Sequence, residues 1–169
     1  MKRRGTVPGR RAAGAFGVVG GMLLLSGCAA VDLPLAGVRV GADGVAYALF
    51  RPCGDDGYQR PHLDGRARGG GEGPVTTGWD VRKEGLHGNA EFPLFAPPER
   101  WKARHRGAQR LLPGHRYVLG FGHYVTGDSY NAIVAFTGER IERLGPGRVW
   151  ADGRAMNLGA FEKLARDAC

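Results

Sequence analysis

The 169-residue sequence predicts a mainly β domain, two sheets packed as a sandwich and closed by one short C-terminal helix. Three observations carry that expectation. Short apolar runs with period-two alternation recur between Gly and Pro punctuation, the pattern of half-buried strands. Only the last dozen residues change to helical spacing. A turn of the form Leu-x-Pro-Gly-x-x-aromatic occurs twice, at 111–117 and 144–150.

Ahead of the first strand, Lys2, Arg3, Arg4, Arg10 and Arg11 form a positive leader with no acid, and an apolar stretch runs from Ala12 to Leu25. That is the charge and length pattern of a secretory signal. A membrane-spanning helix needs about 20 apolar residues; this stretch is shorter and holds four glycines, each unfavourable inside a helix. It ends in Leu25-Ser26-Gly27-Cys28, which resembles the lipobox of bacterial lipoproteins. A branched apolar residue and two small ones let a signal peptidase take in extended backbone, and the cysteine thiol accepts a diacylglyceryl group. The resemblance implies residues 1–27 as a cleaved signal peptide, residues 28–37 as a tether lipidated at Cys28, and residues 38–169 as one folded domain on the extracytoplasmic face of the cell membrane. Each buried acyl methylene would contribute about 0.8 kcal/mol to anchoring. Arg10-Arg11 also matches the pair of a twin-arginine export signal, but Ala12-Ala13-Gly14 follows where such signals carry bulky apolar residues.

Three cysteines make an odd count for an exported chain. Lipid on Cys28 leaves Cys53 and Cys169, which are then expected to pair as a disulfide in an oxidising compartment. The competing role for Cys53, a catalytic thiol, needs a base held beside it, and no signature of such a site surrounds Arg51-Pro52-Cys53-Gly54. The formal charge of +8 shrinks with the leader: 19 basic residues remain against 16 acidic ones, a net of +3. Arg outnumbers Lys by 20 to 4, a bias of high-GC genomes that makes arginine abundance a poor clue to function. Lipobox, one β-rich domain and two further cysteines together resemble the layout of small lipoproteins of actinobacteria, a likeness that brings no activity with it.

In the domain itself, Val38 and Val40 precede a run from Val45 to Phe50, with Asp43-Gly44 as the hairpin turn between them. In "VTTGWDV" Val75, Thr77, Trp79 and Val81 alternate with small or polar residues, and "YVLGFGHYV" sets Tyr117, Leu119, Phe121, His123 and Val125 on one face. The run from Tyr130 to Phe136 follows Gly127-Asp128-Ser129, so these two runs form a hairpin. Arg66 to Pro74 is glycine-dense and expected to be a mobile loop. At the end, Leu158, Phe161, Leu164, Ala165 and Ala168 fall on one helical face behind Asn157, a good N-cap; so short a helix must dock on a sheet. The first Leu-x-Pro-Gly turn, Leu111 to Tyr117, resembles the tyrosine corner of fibronectin type III and immunoglobulin-like sandwiches. That resemblance implies an immunoglobulin-like β-sandwich, with Tyr117 as the corner residue and Leu111 as its core partner; it says nothing of function.

From Arg100 to Thr126 there are six basic residues and no acid, so the rest of the mature chain is net −3. Trp101, beside Pro97-Pro98, is the tryptophan expected at the surface, with Trp79 in the core. Arg100, Trp101, Lys102, Arg104, Arg106 and Arg110 therefore form a candidate patch for anionic envelope polymers or lipid headgroups; the plain alternative is a solvated basic loop. Nucleic acid is not expected, since no recognition motif is present. Histidines 62, 87, 105, 115 and 123 lack metal-ligand spacing, so no metal and no cofactor is expected. Ser129 sits in a turn instead of a Gly-x-Ser-x-Gly elbow, and Asp55-Asp56, Asp80 and Glu84 form no acid/base pair that sequence can establish; no catalytic residue is assigned. The expectation is a non-enzymatic binding or envelope-interaction lipoprotein. A cell-envelope hydrolase whose groups converge on folding, or an accessory subunit of an exported complex, is the alternative.

Overall fold

The computed structural model describes residues 30–69, 73–123 and 129–169. In chain order the strands are β1 (Val31–Leu33), β2 (Ala36–Val40), β3 (Ala46–Phe50), β4 (Gln59–Ala67), β5 (Thr77–Asp80), β6 (Ala90–Pro93), β7 (Arg104–Arg106), β8 (His115–His123), β9 (Tyr130–Thr137), β10 (Arg148–Ala151) and β11 (Arg154–Asn157). The described residues also hold two α-helices, α1 (Gly138–Glu142) and α2 (Leu158–Ala168), and a single 3-10 turn at Glu99–Trp101. One sheet has the order β1-β9-β8-β4-β5-β7 and the other β11-β10-β2-β3-β6; β1 joins β9 in parallel and the remaining pairs are antiparallel.

The period of two decides which side chains meet between the sheets. Leu63, Trp79, Tyr117, Leu119, Phe121 and Val134 from the first sheet share one core with Val38, Ala48, Phe50, Phe92 and Trp150 from the second. Phe50 is its centre, with ring centroids 4.8 Å from Phe121 and 5.7 Å from Phe92. The outer face of the second sheet is buried too, because α2 lays Phe161 against Leu49, Val149, Ala151 and Met156. Gly37 makes that approach possible: a Cβ there would stand 3.0 Å from Val149 Cγ1 and 3.3 Å from the Phe161 ring.

The expected C-terminal helix is present. Asn157 caps it, its side-chain oxygen accepting from the Ala160 N–H at 2.7 Å, and the Arg51 guanidinium meets Glu162 at 2.7 Å. Cys53 and Cys169 are joined by a disulfide, their Cα atoms 5.4 Å apart. Leu158, placed on the buried face by spacing, is exposed, because it opens the first turn before the helix reaches the sheet. The Asp43-Gly44 hairpin is also as expected, with Asp43 accepting from the Val45 N–H and the Tyr47 hydroxyl.

Two boundaries differ from the sequence reading. Residues 28–37 were expected to be a tether, yet Val31–Leu33 already pairs with β9, and Leu35 and Ala36 are fully buried. Folded structure therefore begins by Val31, the alternation of so short a strand being too brief to read. Arg66 and Ala67, assigned to a loop, end the nine-residue strand β4. Pro61 and Gly65 disguise that strand. Pro61 lies at a register shift between Gln59 and His62, a bulge where its missing N–H is tolerated. Gly65 lies under the Tyr117 ring, where a Cβ would come within 2.6 Å of Cε1. The lipobox, Cys28, residues 70–72 of the glycine-dense segment, and Val125, Gly127 and Asp128 of the expected β8–β9 turn lie outside the described residues.

Candidate functional site

The basic segment does not form one patch. Trp101 is only 2 % exposed and packs its indole 5.0 Å from the Phe92 ring, a correction to its expected place at the surface. The reason is a single helical turn, Glu99–Trp101, followed by Lys102 in the left-handed region at φ +52°. That reversal turns Trp101 inward and leaves Arg100 and Lys102 outside. Arg110 lies elsewhere, on the rim of an apolar groove at the far end of the sheets.

Arg104 and Arg106 remain together because they are two apart on β7 and so share a face. Both close on Asp80 of the neighbouring β5. Arg104 donates to Asp80 Oδ2 through Nε at 3.1 Å and Nη2 at 2.6 Å, and Arg106 donates to Oδ1 at 2.9 Å. Register explains the contact: Arg104 lies opposite Asp80, and Arg106 lies opposite Gly78, whose lack of a side chain opens the diagonal. Gly78 cannot be replaced lightly, since at φ +119° a Cβ would fall 1.8 Å from the Leu63 carbonyl oxygen.

On the other side of β5, β4 sends His62, Asp64 and Arg66 to the same outer face. His62 stands opposite Asp80 and Asp64 opposite Gly78; Arg66 pairs with Asp64 at 3.2 Å. His62, Asp64, Asp80 and Arg106, together with Arg60, Arg82 and Glu84, line an open cleft of about 610 Å³. Arg60 is one of three non-glycine residues with positive φ among those described, at +52°, and it sits in the bulge at the cleft's edge. Strained backbone and bulges of this kind collect at functional sites, where they re-aim a side chain. The Arg60 carbonyl lies 3.1 Å from His62 Nδ1; in the neutral ring that contact puts the proton on Nδ1 and leaves Nε2 as an acceptor.

The pairing of these charges is uneven. Three guanidiniums, of Arg60, Arg82 and Arg106, and three carboxylates, of Asp64, Asp80 and Glu84, line the cleft, and Arg66 and Arg104 pair with Asp64 and Asp80 from beside it. Asp64 and Asp80 are taken up by arginines, while among the described residues Arg60, Arg82 and Glu84 have no ion pair. Fixed guanidiniums present planar forks that match phosphate or carboxylate oxygens. Arg60, His62, Asp64 and Arg82 were missed by sequence reasoning; His62-Asp64-Arg66 does alternate, but Pro61 and Gly65 hide the strand that carries them.

A second polar cluster fastens the loop beside the disulfide. His123 Nδ1 lies 2.6 Å from the Gly57 carbonyl and the ring stacks on Tyr130 at 4.8 Å. The Tyr130 hydroxyl accepts from the Cys53 N–H at 3.2 Å and donates to Asp56 at 3.5 Å; burial is the main cause that raises its pKa. The Ser129 carbonyl accepts from the Val31 N–H and so begins the β1–β9 pairing. Among the described residues no group of three His, Cys, Asp or Glu side chains could hold one metal ion, and no helix is long and apolar enough to cross a membrane. No protein family, curated protein or solved structure matches this chain.

Proposed function

We propose that the protein is a lipid-anchored, extracytoplasmic binding module that holds phosphate or carboxylate groups of envelope polymers in the arginine cleft on the outer face of the first sheet. The observation that carries this reading is Asp80 clamping Arg104 and Arg106 beside the unpaired Arg60 and Arg82. The Arg106 guanidinium in the cleft is already held by Asp80 before any ligand arrives, which lowers the ordering cost of binding. The domain is read as an immunoglobulin-like sandwich, supported by Tyr117: its hydroxyl accepts from the Leu112 N–H at 2.8 Å and donates to the Arg110 carbonyl at 3.3 Å, the bonding of a tyrosine corner.

Anchoring at Cys28 would place the cleft close to the lipid surface. Only three peptide steps separate Cys28 from Val31, a reach of about 10 Å. Val31 pairs with Tyr130 at the end of the sheet where Gln59 and Arg60 also lie. Cys28→Ala should abolish acyl labelling and membrane partitioning; label retained by the variant would end the lipobox reading.

The binding test uses poly(glycerol phosphate), polygalacturonate and neutral dextran as probes, titrated by calorimetry at low and physiological salt. Expected are binding of an anionic polymer but not of dextran, weakening with salt, and a loss of roughly tenfold or more in Arg60→Ala/Arg82→Ala, since hydrogen bonds to charged groups contribute about 1.5–3 kcal/mol each. Unchanged affinity in that variant would refute the cleft as the site. A hydrolase is the second reading, favoured by His62 with its acceptor nitrogen in the same cleft as Asp64 and Glu84; cleavage of the probe, lost in His62→Ala, would establish it in place of simple binding.

A further inference from the structure

At the opposite end of the sheets lies a second concavity, about 670 Å³, independent of the arginine cleft. Its floor is Val40, Leu94, Ile141 and Leu144, each no more than 8 % exposed, and Val45 at its mouth is 42 % exposed. Four backbone donors around it are paired within the protein. Leu94 N–H donates to Ala46 O, Gly147 N–H to Val40 O, Leu144 N–H to Ile141 O and Ala96 N–H to Pro93 O, all at 2.8–2.9 Å. The charged and amide side chains of the lining, Gln109, Arg110, Glu142 and Arg143, are exposed ones at the rim. Gln109 is spent there, its amide donating to the Gly78, Arg106 and Gly107 carbonyls and its oxygen facing His105. What remains is Arg110, Arg143 and Glu142, and among the described residues neither guanidinium has an ion pair or hydrogen bond.

The groove is also held open in advance. Tyr117 bonds the backbone of both Arg110 and Leu112 on one wall. On the other, the Thr137 hydroxyl caps α1 by accepting from the Arg140 N–H, and Glu139 ties α1 to the Gly114 N–H at 3.0 Å. Volume, apolar lining and a few rim charges are the attributes of a small-molecule site.

We infer that this groove binds a single unbranched acyl chain with an anionic head, the chain on the Val40–Leu94–Ile141–Leu144 floor and the head between Arg110 and Arg143. The charges choose the head: two unpaired guanidiniums against one carboxylate leave a rim of net +1, which favours an anion over a cation. The floor chooses the tail, because the Val40, Leu94, Ile141 and Leu144 side chains gain from covering methylenes and offer a polar group no partner.

Calorimetry on the intact protein with octanoate, decanoate, dodecanoate, dodecanol and dodecyltrimethylammonium, all below micelle formation, tests it. Expected are one saturable site and affinity that rises about fourfold per added methylene. Val45→Asp, a change at an exposed residue that leaves the thermal transition in place, should weaken dodecanoate at least tenfold. Arg110→Ala/Arg143→Ala should weaken dodecanoate but leave dodecanol unchanged. Absence of saturable dodecanoate binding, indifference to Val45→Asp, or equal affinity for the cationic amphiphile would each overturn the assignment. Arg60→Ala/Arg82→Ala should not move these values, so failure here and failure of the polymer-binding reading are separable.

Discussion

Reduction of the Cys53–Cys169 bridge is the perturbation whose size follows most directly from the structure. The bond joins residues 116 apart; in the chain-entropy model, closing such a loop removes about 16 cal/mol/K from the unfolded ensemble, or about 5 kcal/mol at 25 °C. A domain of this length unfolds with an entropy of roughly 0.3 kcal/mol/K, so the bridge is worth about 15 °C in Tm. The native structure should nonetheless survive reduction at 25 °C, because α2 is held independently by the fully buried Phe161 and by the Arg51–Glu162 ion pair. The assay is thermal unfolding by circular dichroism with and without reductant, checked against Cys53→Ala/Cys169→Ala, with alkylation and mass analysis to show that the untreated protein has no free thiol at either position. A difference in Tm below about 3 °C between oxidised and reduced protein would refute the loop-closure argument. Alkylation of both cysteines without reductant would refute the bridge.

Three further perturbations separate packing from surface effects. Trp101→Ala should cost about 3–5 kcal/mol by leaving a cavity against Phe92 and Phe50, measured by denaturant titration; a change within about 0.5 kcal/mol would return Trp101 to the surface. Gly65→Ala should cost about 1–3 kcal/mol, since its Cβ meets the buried Thr77 and Tyr117 side chains, and Gly78→Ala more than about 3, since its Cβ meets backbone, the Leu63 carbonyl, at a left-handed φ; the reverse order would contradict the register. The Glu139 carboxyl is lowered to about 2, first by the Gly114 N–H and then by bonds from its own N–H and Thr137. A folded pKa below the unfolded one gives stability that is present above about pH 4.5 and lost as pH falls toward 2. Glu139→Gln should therefore flatten the acid limb of a Tm-versus-pH series, and an unaltered slope between those values would sink the assignment.

How much of this was legible beforehand depends on whether an element answers to its neighbours in sequence or to distant ones. The helix at 158–168 could be read because Asn157 and the spacing of Phe161, Leu164 and Ala165 are local signals. The β8 and β9 runs could be read because each is an uninterrupted stretch of eight or nine residues with large apolar side chains two apart, such as Tyr117, Leu119 and Phe121. β4 could not, since Pro61 answers to a bulge against β8 and Gly65 to the Tyr117 ring, both of which look like loop punctuation from within the segment. Trp101 illustrates the same limit: its basic neighbours mark a surface, but one left-handed residue at Lys102 sets which side chain turns inward.

The amino-acid sequence by itself determined the mainly β character, the Asp43-Gly44 hairpin, the capped C-terminal helix and the pairing of Cys53 with Cys169. Hydrophobic period, turn chemistry and cysteine count are properties of short stretches or of composition. Tertiary structure alone decided that Arg104 and Arg106 share Asp80 while Arg110 belongs to an apolar groove at the other end, although all three lie within seven residues. The physical reason is register. Charge is written along the chain, but which guanidiniums meet a carboxylate and which stay free is set by strands that pair across distances no local pattern records.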